Sequence, residues 1–517
     1  MGGESVVKAV VRRTLGILAA LVATLWSPLG PRTAFASHTE VDTTLDAQSY
    51  VAPSPYGNPV VRRRRFTHTL GLGYFDILDD QTASGPQLSL VARMRLDADF
   101  GQSSAERSPN RLDRYSPGLE EAPFDLMYAY VDARRYAGGW LGGRLGRQYQ
   151  SDVLGWWSFD GALLRITTPA YLRLEGYGGF EQRGGLPLAS TPRFSGDGVY
   201  RGEREGLDVN QWPSYLDESR LAPAYGVAVE SHSVDWMHAR VSYRQVINRD
   251  RVLATTLFDT QADPEMVDED RVSTERVGAS VILMEPDLGS VTGRAVYDLY
   301  NQVLSEHAAG LSWNLNERVT LSLEYDYFMP TFDGDSIFNW FTHRGMTTWL
   351  GRGSWRLARR VDLSTSAGVR QFHSEGDPDE HAEQLAQSTA TDLNRSQTGT
   401  VTDVLGSAAL RYGWGPGSVL VNGRGEGGGS GHSLGGDVTA RQRFAGGYFD
   451  TLAIVSLYDW HNALRAGRDA TSFGYVLGGG ISPAEQTRLG VEWEHDMNRL
   501  VGQRFRVLGT VTVRTSR

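Results

Sequence analysis

Residues 318–328 read R-V-T-L-S-L-E-Y-D-Y-F, and this stretch decides the fold class. Five apolar or aromatic residues, Val319, Leu321, Leu323, Tyr325 and Tyr327, occupy one parity, and the other parity is polar or charged from residue 318 to residue 326. Successive side chains of a strand point to opposite faces, so the segment has one apolar and one polar face. Such a strand suits a half-buried soluble sheet, or a barrel wall between lipid and water with tyrosines at the interface.

The same alternation recurs along most of the chain and favours the barrel. It predicts 21 strands between residues 66 and 514, most of them about 10 to 14 residues long, which is enough for a tilted strand to cross a bilayer. Short turns such as 285–288 and 358–360 alternate with long connections such as 183–220 and 373–400, as in bacterial barrels. We therefore predict an all-β fold, a transmembrane antiparallel up-and-down β-barrel of about 18–22 strands.

The number of strands predicts one further strand. A last strand that ends beside the short turns requires an even strand number, and hence a further strand around residues 43–51. Apart from that strand, the polar stretch 37–65 is predicted as an N-terminal segment and 66–517 as the barrel.

The first 36 residues have the pattern of a secretory signal. Arg12 and Arg13 precede an apolar run at 15–26, and Ala34-Phe35-Ala36 forms an A-x-A site before Ser37. We expect cleavage between Ala36 and Ser37 and residence in the outer membrane of a Gram-negative-type bacterium. An uncleaved inner-membrane anchor is the alternative.

Composition excludes several classes of protein. The chain of 517 residues has no cysteine, which rules out disulfides, cysteine-ligated metals and thiol catalysis. Its net charge of −10 argues against a nucleic-acid partner. The predicted partners are instead small hydrophilic solutes, outer-membrane lipid and lipopolysaccharide, whose phosphates the basic run at 62–65 could meet. A homo-oligomer is left open.

One region carries a family resemblance. Residues 138–166 read G-G-W-L-G-G-R-L-G-R-Q-Y-Q-S-D-V-L-G-W-W-S-F-D-G-A-L-L-R-I, followed by a T-T-P-A turn and another strand. A strand ending in Gly146-Arg147-Gln148, an aromatic loop, and a strand that begins with Asp160-Gly161 and continues to Arg165 resembles outer-membrane porins, especially the alginate-export-type branch. The resemblance implies an 18-stranded type of barrel that passes hydrophilic or anionic solutes.

Alternation also predicts which charged residues face the lumen. Arginine rings favour anion passage, and opposed arginines and acids set up a transverse field. The predicted lumen and selectivity residues are Arg93, Arg95, Arg144, Arg173, Arg240, Arg244, Arg294, Arg352, Arg370, Glu175, Asp298, Glu324 and Asp326. The alternative interpretation is that these charges pair across strands and only keep the inner wall hydrated, without a role in selectivity.

These residues predict a channel for passive diffusion of small hydrophilic, including anionic, solutes. A dedicated export or uptake channel for an anionic saccharide, a non-conducting surface or adhesive barrel, and a soluble periplasmic β-protein are the alternatives. The Trp156-Trp157 pair is read as part of an interfacial aromatic belt, with a sugar-stacking platform as the second interpretation.

Nothing in the sequence predicts an enzyme, and we expect no catalytic residue, no cofactor and no metal. The motif Gly431-His432-Ser433-Leu434-Gly435 matches the nucleophile elbow G-x-S-x-G. That elbow needs a strand before it and a helix after it, whereas here a glycine-rich run precedes and an alternating stretch follows. We therefore interpret the match as chance.

Overall fold

The computed structural model describes residues 38–52, 61–78, 85–99, 124–181, 222–248, 252–254, 265–267, 271–331, 345–373, 400–429, 431–462, 469–499 and 502–516. Nearly all of these residues lie in strands. The strands are β1 His38–Ala52, β2 Val61–Phe75, β3 Gln87–Asp99, β4 Phe124–Tyr136, β5 Leu141–Asp152, β6 Gly155–Thr167, β7 Leu172–Glu181, β8 Ala222–Ser231, β9 Met237–Asn248, β10 Val252–Ala254, β11 Glu265–Val267, β12 Arg271–Glu285, β13 Gly289–Asp298, β14 Val303–Asn316, β15 Val319–Phe328, β16 Gly345–Ala358, β17 Val361–His373, β18 Val401–Trp414, β19 Gly417–Gly428, β20 Gly431–Phe444, β21 Phe449–Asn462, β22 Ala470–Ala484, β23 Thr487–Asn498 and β24 Gly502–Ser516.

Twenty-two of these strands form one closed antiparallel barrel. Each strand pairs with its neighbour along the chain, except that β9 pairs with β12 and leaves out the short hairpin β10–β11. The ring closes where β24 pairs with β1, from Glu40 opposite Ser516 to Tyr50 opposite Arg506. Closure leaves the ring of barrel strands without an open edge, which is the condition for a sheet to stand in lipid. The predicted fold class is confirmed, although the 18-stranded type implied by the porin resemblance is wrong.

No helix among the described residues is long and apolar enough to cross a membrane.

The two faces of the wall separate by parity as the sequence predicts. In the opening stretch Leu323 is exposed and lies opposite Leu311, which is also exposed. Glu324 and Asp326 have the other parity and lie beside Arg352 and Arg294. Exposed aliphatic side chains of this kind recur on most barrel strands. Because an aliphatic surface suits lipid and a charged one suits water, the aliphatic face is the outer wall and the charged face lines the lumen.

The observed strand number is even and resolves the odd count of 21 strands predicted from the sequence. The extra strand predicted around residues 43–51 exists as β1, and both His38 and Ser516 lie at the end of the barrel that carries the short turns. That end includes the connections 286–288, 317–318 and 359–360, whereas 182–221 and 374–400 join strands at the other end. This alternation matches short periplasmic turns and long outer connections.

The predicted boundary of the barrel at residue 66 is wrong. Strand β1 begins at His38 and pairs along its whole length with β2, which begins at Val61. The signal of β1 is weak because Thr43 and Ala47 stand on its outer face, where other strands carry large aliphatic residues. The predicted signal segment and its cleavage site between Ala36 and Ser37 lie outside the described residues.

Replacing Leu323 by Arg should destabilise the barrel by about 2–4 kcal/mol, because a charge on the outer face near mid-membrane must be desolvated. The matched control is Ser354→Arg, on the inner face of β16 one strand away, which should cost less than about 1 kcal/mol. Urea unfolding in lipid vesicles, followed by tryptophan fluorescence, measures both. Equal destabilisation by the two variants would contradict the assignment of faces.

Candidate functional site

A hairpin leaves the wall and folds into the lumen. Pairing between β4 and β5 extends only to Ala129 opposite Arg147, and pairing between β6 and β7 only to Phe159 opposite Glu181. Beyond these points, among the described residues, β5 and β6 pair only with each other, up to Asp152 opposite Gly155. We call residues 148–158 the inner hairpin.

The tip of the inner hairpin reaches across three strands. The guanidinium Nη2 of Arg244, on the inner face of β9, donates a hydrogen bond to the carbonyl oxygen of Leu154 at 3.2 Å. Val153 and Leu154 also cover Gly278 of β12 so closely that a Cβ there would lie 2.8 Å from both side chains. Strands β7 and β8 lie between the hairpin's base and these contacts, so the hairpin covers a sector of the inner wall.

An apolar cluster fixes one side of the inner hairpin to that wall. Trp157 stacks on Phe159 with ring centroids 4.4 Å apart, and both rings contact Tyr177 of β7. Phe159 is fully buried. The remaining members of the cluster are Leu163, Ala222, Ala224 and Val246. Alanines on the inner face of β8 leave the space that the aromatic rings fill, and packing of this kind holds the hairpin in one position.

The other side of the hairpin also carries aromatic rings. Tyr149 and Trp156 stack with centroids 4.6 Å apart and an interplanar angle of 6°. Tyr149 contacts Tyr128, on the inner face of β4, edge-on at 5.6 Å. The interpretation of Trp156 and Trp157 as an interfacial belt is therefore wrong, because the hairpin that carries them is inside the barrel. A sugar-stacking role for Trp156 stays a prediction.

Three glycines in adjacent strands form the line along which the hairpin bends. Gly146, Gly161 and Gly179 lie opposite one another in β5, β6 and β7. Gly146 has φ +125°, and a Cβ on it would lie 2.3 Å from the carbonyl oxygen of Ala129. A Cβ on Gly161 or Gly179 would meet a neighbouring carbonyl oxygen at 2.2 Å. Backbones approach too closely here for any side chain, which explains the glycines of the porin-like motif.

A bidentate ion pair joins the two strands at the base of the hairpin. Arg147 Nε and Nη2 bind Asp160 Oδ1 and Oδ2 at 2.7 and 2.8 Å, and Nη1 donates to the carbonyl oxygen of Leu126 at 3.0 Å. A fork of this geometry fixes orientation as well as distance. The motif residues therefore act at the base of the inner hairpin, a role that the sequence pattern alone did not reveal.

A charge network supports the hairpin tip. Arg240 binds Glu175 and Glu230 at 2.6 Å each, and Asp152 of the hairpin lies 3.6 Å from it. Arg165 and Arg173 bind the same two glutamates at 2.7 Å. Three arginines thus meet three carboxylates, and the network is neutral as a whole.

The other predicted lumen residues also lie on the inner face, and most are paired. The ion pairs are Arg93–Asp42 at 3.3 Å, Arg144–Asp132 at 3.7 Å, Arg276–Asp298 at 3.2 Å, Arg294–Asp326 at 2.9 Å, Arg352–Glu324 at 3.0 Å and Arg370–Glu426 at 2.6 Å. Arg95 is buried, and Arg144 also lies 4.4 Å from the ring of Tyr130. Pairing across strands therefore describes most of these charges, and their part in selectivity stays a prediction.

Arg244 differs from these arginines. Its residue exposure is 5%, and its guanidinium carbon lies 5.0 Å from the Trp157 ring. Within the described part of the chain, its Nε and Nη1 find no hydrogen-bond acceptor. A permanently charged group buried in this way is costly unless something compensates its charge.

Two arrangements that could support catalysis, a metal site and a nucleophile elbow, can be checked among the described residues. No group of three or more histidine or acidic residues among them could hold a metal ion. The G-x-S-x-G match occupies Gly431 to Gly435 at the start of β20 and runs straight on through that strand. The strand–turn–helix geometry of a nucleophile elbow is therefore not formed there.

No family model matches the sequence, and no curated protein matches it. Among solved structures, the chain is similar to OccAB2 of Acinetobacter baumannii, with a TM-score of 0.42 and 8% identity over 94% of this chain and 100% of that one. It is similar to OpdK of Pseudomonas aeruginosa with vanillate, with a TM-score of 0.40 and 11% identity over 93% and 99%. A second OpdK structure, described as an outer membrane protein, gives the same values. None of these names points to the alginate-export branch, so that resemblance stays a prediction.

Replacing Gly161 by Ala should disturb the inner hairpin and destabilise the fold by more than about 1 kcal/mol, because its Cβ would collide with the β7 backbone. Gly176→Ala is the matched control, since a Cβ at Gly176 meets nothing within 4 Å. Heat-modifiability on gels gives the stability of each variant. A Gly161→Ala protein as stable as Gly176→Ala would show that the glycine row is not required for the bend.

Proposed function

We propose that this protein is an outer-membrane channel for passive diffusion of small hydrophilic solutes, including anionic ones. The observation that carries the proposal is a closed ring of strands that is aliphatic outside and charged inside. A wall of this kind separates lipid from a wet interior. A signal at residues 1–36 would export the chain, and outer-membrane lipid and lipopolysaccharide would surround it.

Filtering would be steric and electrostatic, with no covalent step. The inner hairpin occupies part of the lumen cross-section and presents Trp156 and Tyr149 on one side. Arginines and carboxylates form ion pairs on the wall, some next to the hairpin and some on other strands. Fixed charges of both signs orient a passing solute and let an ion exchange part of its hydration shell for side chains.

A second sector of the wall offers a different surface. The lining of a cavity of about 540 Å³ on β12 to β15 includes the hydroxyls of Ser280, Thr292 and Ser322 beside Arg294 and Asp326, together with apolar side chains of the same strands. Hydroxyl and charged groups together suit solutes that carry several hydrogen-bonding groups. This surface supports a hydrophilic solute but does not by itself distinguish an anion from a polyol.

Two rival functions differ in what they require. An exporter of an anionic saccharide needs a continuous track of available arginines, whereas most predicted lumen arginines are held in ion pairs. A surface or adhesive barrel needs a lumen that is blocked, and the inner hairpin is the described element that could contribute to blockage. Conductance separates the second rival from the channel.

The test is single-channel conductance of the refolded protein in planar bilayers, compared with a variant whose inner hairpin is cut. Replacing residues 149–158 by Asn-Gly joins Gln148 to Phe159, which lie opposite each other, through a turn suited to two residues. We expect steady conductance from the intact protein and a larger conductance from the variant. A heat-modifiable, folded barrel that does not conduct in either form would overturn the channel function.

Arg294 and Asp326 should shift selectivity in opposite directions. Arg294 lies between Asp326 at 2.9 Å and Glu306 at 3.7 Å, and its side chain is 50% exposed. Arg294→Gln leaves both carboxylates uncompensated. The reversal potential in a salt gradient should therefore shift in the direction of greater cation selectivity. Asp326→Asn should move it towards anions. Shifts of the same sign, or none in either variant, would place the selectivity filter elsewhere.

A further inference from the structure

The region around Arg244, where the inner hairpin packs on the wall, contains polar groups without a hydrogen-bond partner among the described residues. Within the described residues, the buried nitrogen atoms without a hydrogen-bond partner include Nε and Nη1 of Arg244, Nε1 of Trp157 and Nε2 of Gln150. All three residues are at least nine-tenths buried. Buried polar groups are normally satisfied, so several unsatisfied donors in one place require an explanation.

These donors belong to one locality. The guanidinium of Arg244 lies 5.0 Å from the Trp157 ring, and Gln150 lies directly opposite Trp157 in the hairpin. Gln148, two residues from Gln150 along the strand, is fully buried and donates from Nε2 to the carbonyl oxygen of Gly161. The donors therefore come from both the wall and the hairpin.

The charge at this place is also unbalanced. Glu181 and Asp152 act on Arg244 electrostatically, while Arg276 acts in the opposite sense. Asp152 lies 3.6 Å from Arg240, which already binds two glutamates. Arg276 is paired with Asp298. Asp152 is thus shared with Arg240, and Arg276 adds a second positive charge, so a further negative charge beside Arg244 would be favourable.

We propose that Arg244, Trp157 and Gln150 form a buried binding site for a small oxyanion carrying one carboxylate or phosphate group. The unpaired nitrogens of Arg244 are two separate donors, and an oxyanion offers several acceptor oxygens at once. Bound there, it joins β9 to the inner hairpin and supplements the bond from Arg244 to Leu154. The site does not require that the protein conducts, because its ligand stays between hairpin and wall.

The experiment measures stability of the full-length, detergent-solubilised protein by the temperature at which its heat-modifiable band converts. Sodium phosphate and sodium acetate are titrated at constant ionic strength set with sodium chloride. We expect at least one oxyanion to raise the midpoint saturably, beyond the value in chloride alone, because it binds the folded state. In Arg244→Gln the apparent affinity should fall at least tenfold.

Two further variants keep the test decisive. Trp157→Phe keeps the stacked ring but removes the indole N–H, and should weaken oxyanion binding without abolishing the fold. Arg356→Gln removes an exposed lumen arginine near Asp362, remote from the site, and should leave the response unchanged. A response equal in the intact protein, Arg244→Gln and Trp157→Phe, or no oxyanion effect beyond that of chloride, would overturn the site and leave water as the partner of these donors.

Discussion

Everything in this structure depends on the pairing of β24 with β1. In lipid, backbone N–H and C=O groups have no water to bond, so an open strand edge is not tolerated. The pairing of the last barrel strand with the first removes the two edges that twenty-two strands in a row would otherwise leave. Once the ring is closed, side-chain parity alone decides which residues meet lipid and which meet water.

Closure of so many strands leaves an open interior, which the inner hairpin partly fills. An eight-stranded barrel fills its interior with side chains, whereas larger barrels enclose open space. In this barrel part of the space is occupied by residues of the wall itself, since β5 and β6 extend past their neighbours and turn inward. Glycines allow the bend, aromatic rings fix it, and the Arg147–Asp160 fork holds its two strands together.

Ion pairing makes the lumen less basic in effect than its arginines suggest. A guanidinium held by two carboxylates, as Arg240 is, contributes orientation and local field more than net charge. Removing one partner of such a pair leaves the other uncompensated, so we expect selectivity to depend on particular pairs and not on the number of arginines. Arg244 differs from these paired arginines, because its direct contacts among the described residues are the Trp157 ring and the carbonyl oxygen of Leu154, while Glu181 and Asp152 act on it electrostatically.

The sequence by itself determined the wall. Alternation along most of β15 predicted its faces, and the need for an even strand number predicted β1 although several of its outer residues are small or polar. Parity is a local property of each strand, so it survives without knowledge of any neighbour. Only the tertiary structure decided the interior: which carboxylate pairs with Arg240, that Gly146, Gly161 and Gly179 lie in one row, and that Trp157 is buried on the lumen side. Those facts depend on the register between strands and on where a hairpin leaves the sheet. The alternation of side chains within a single strand determines neither.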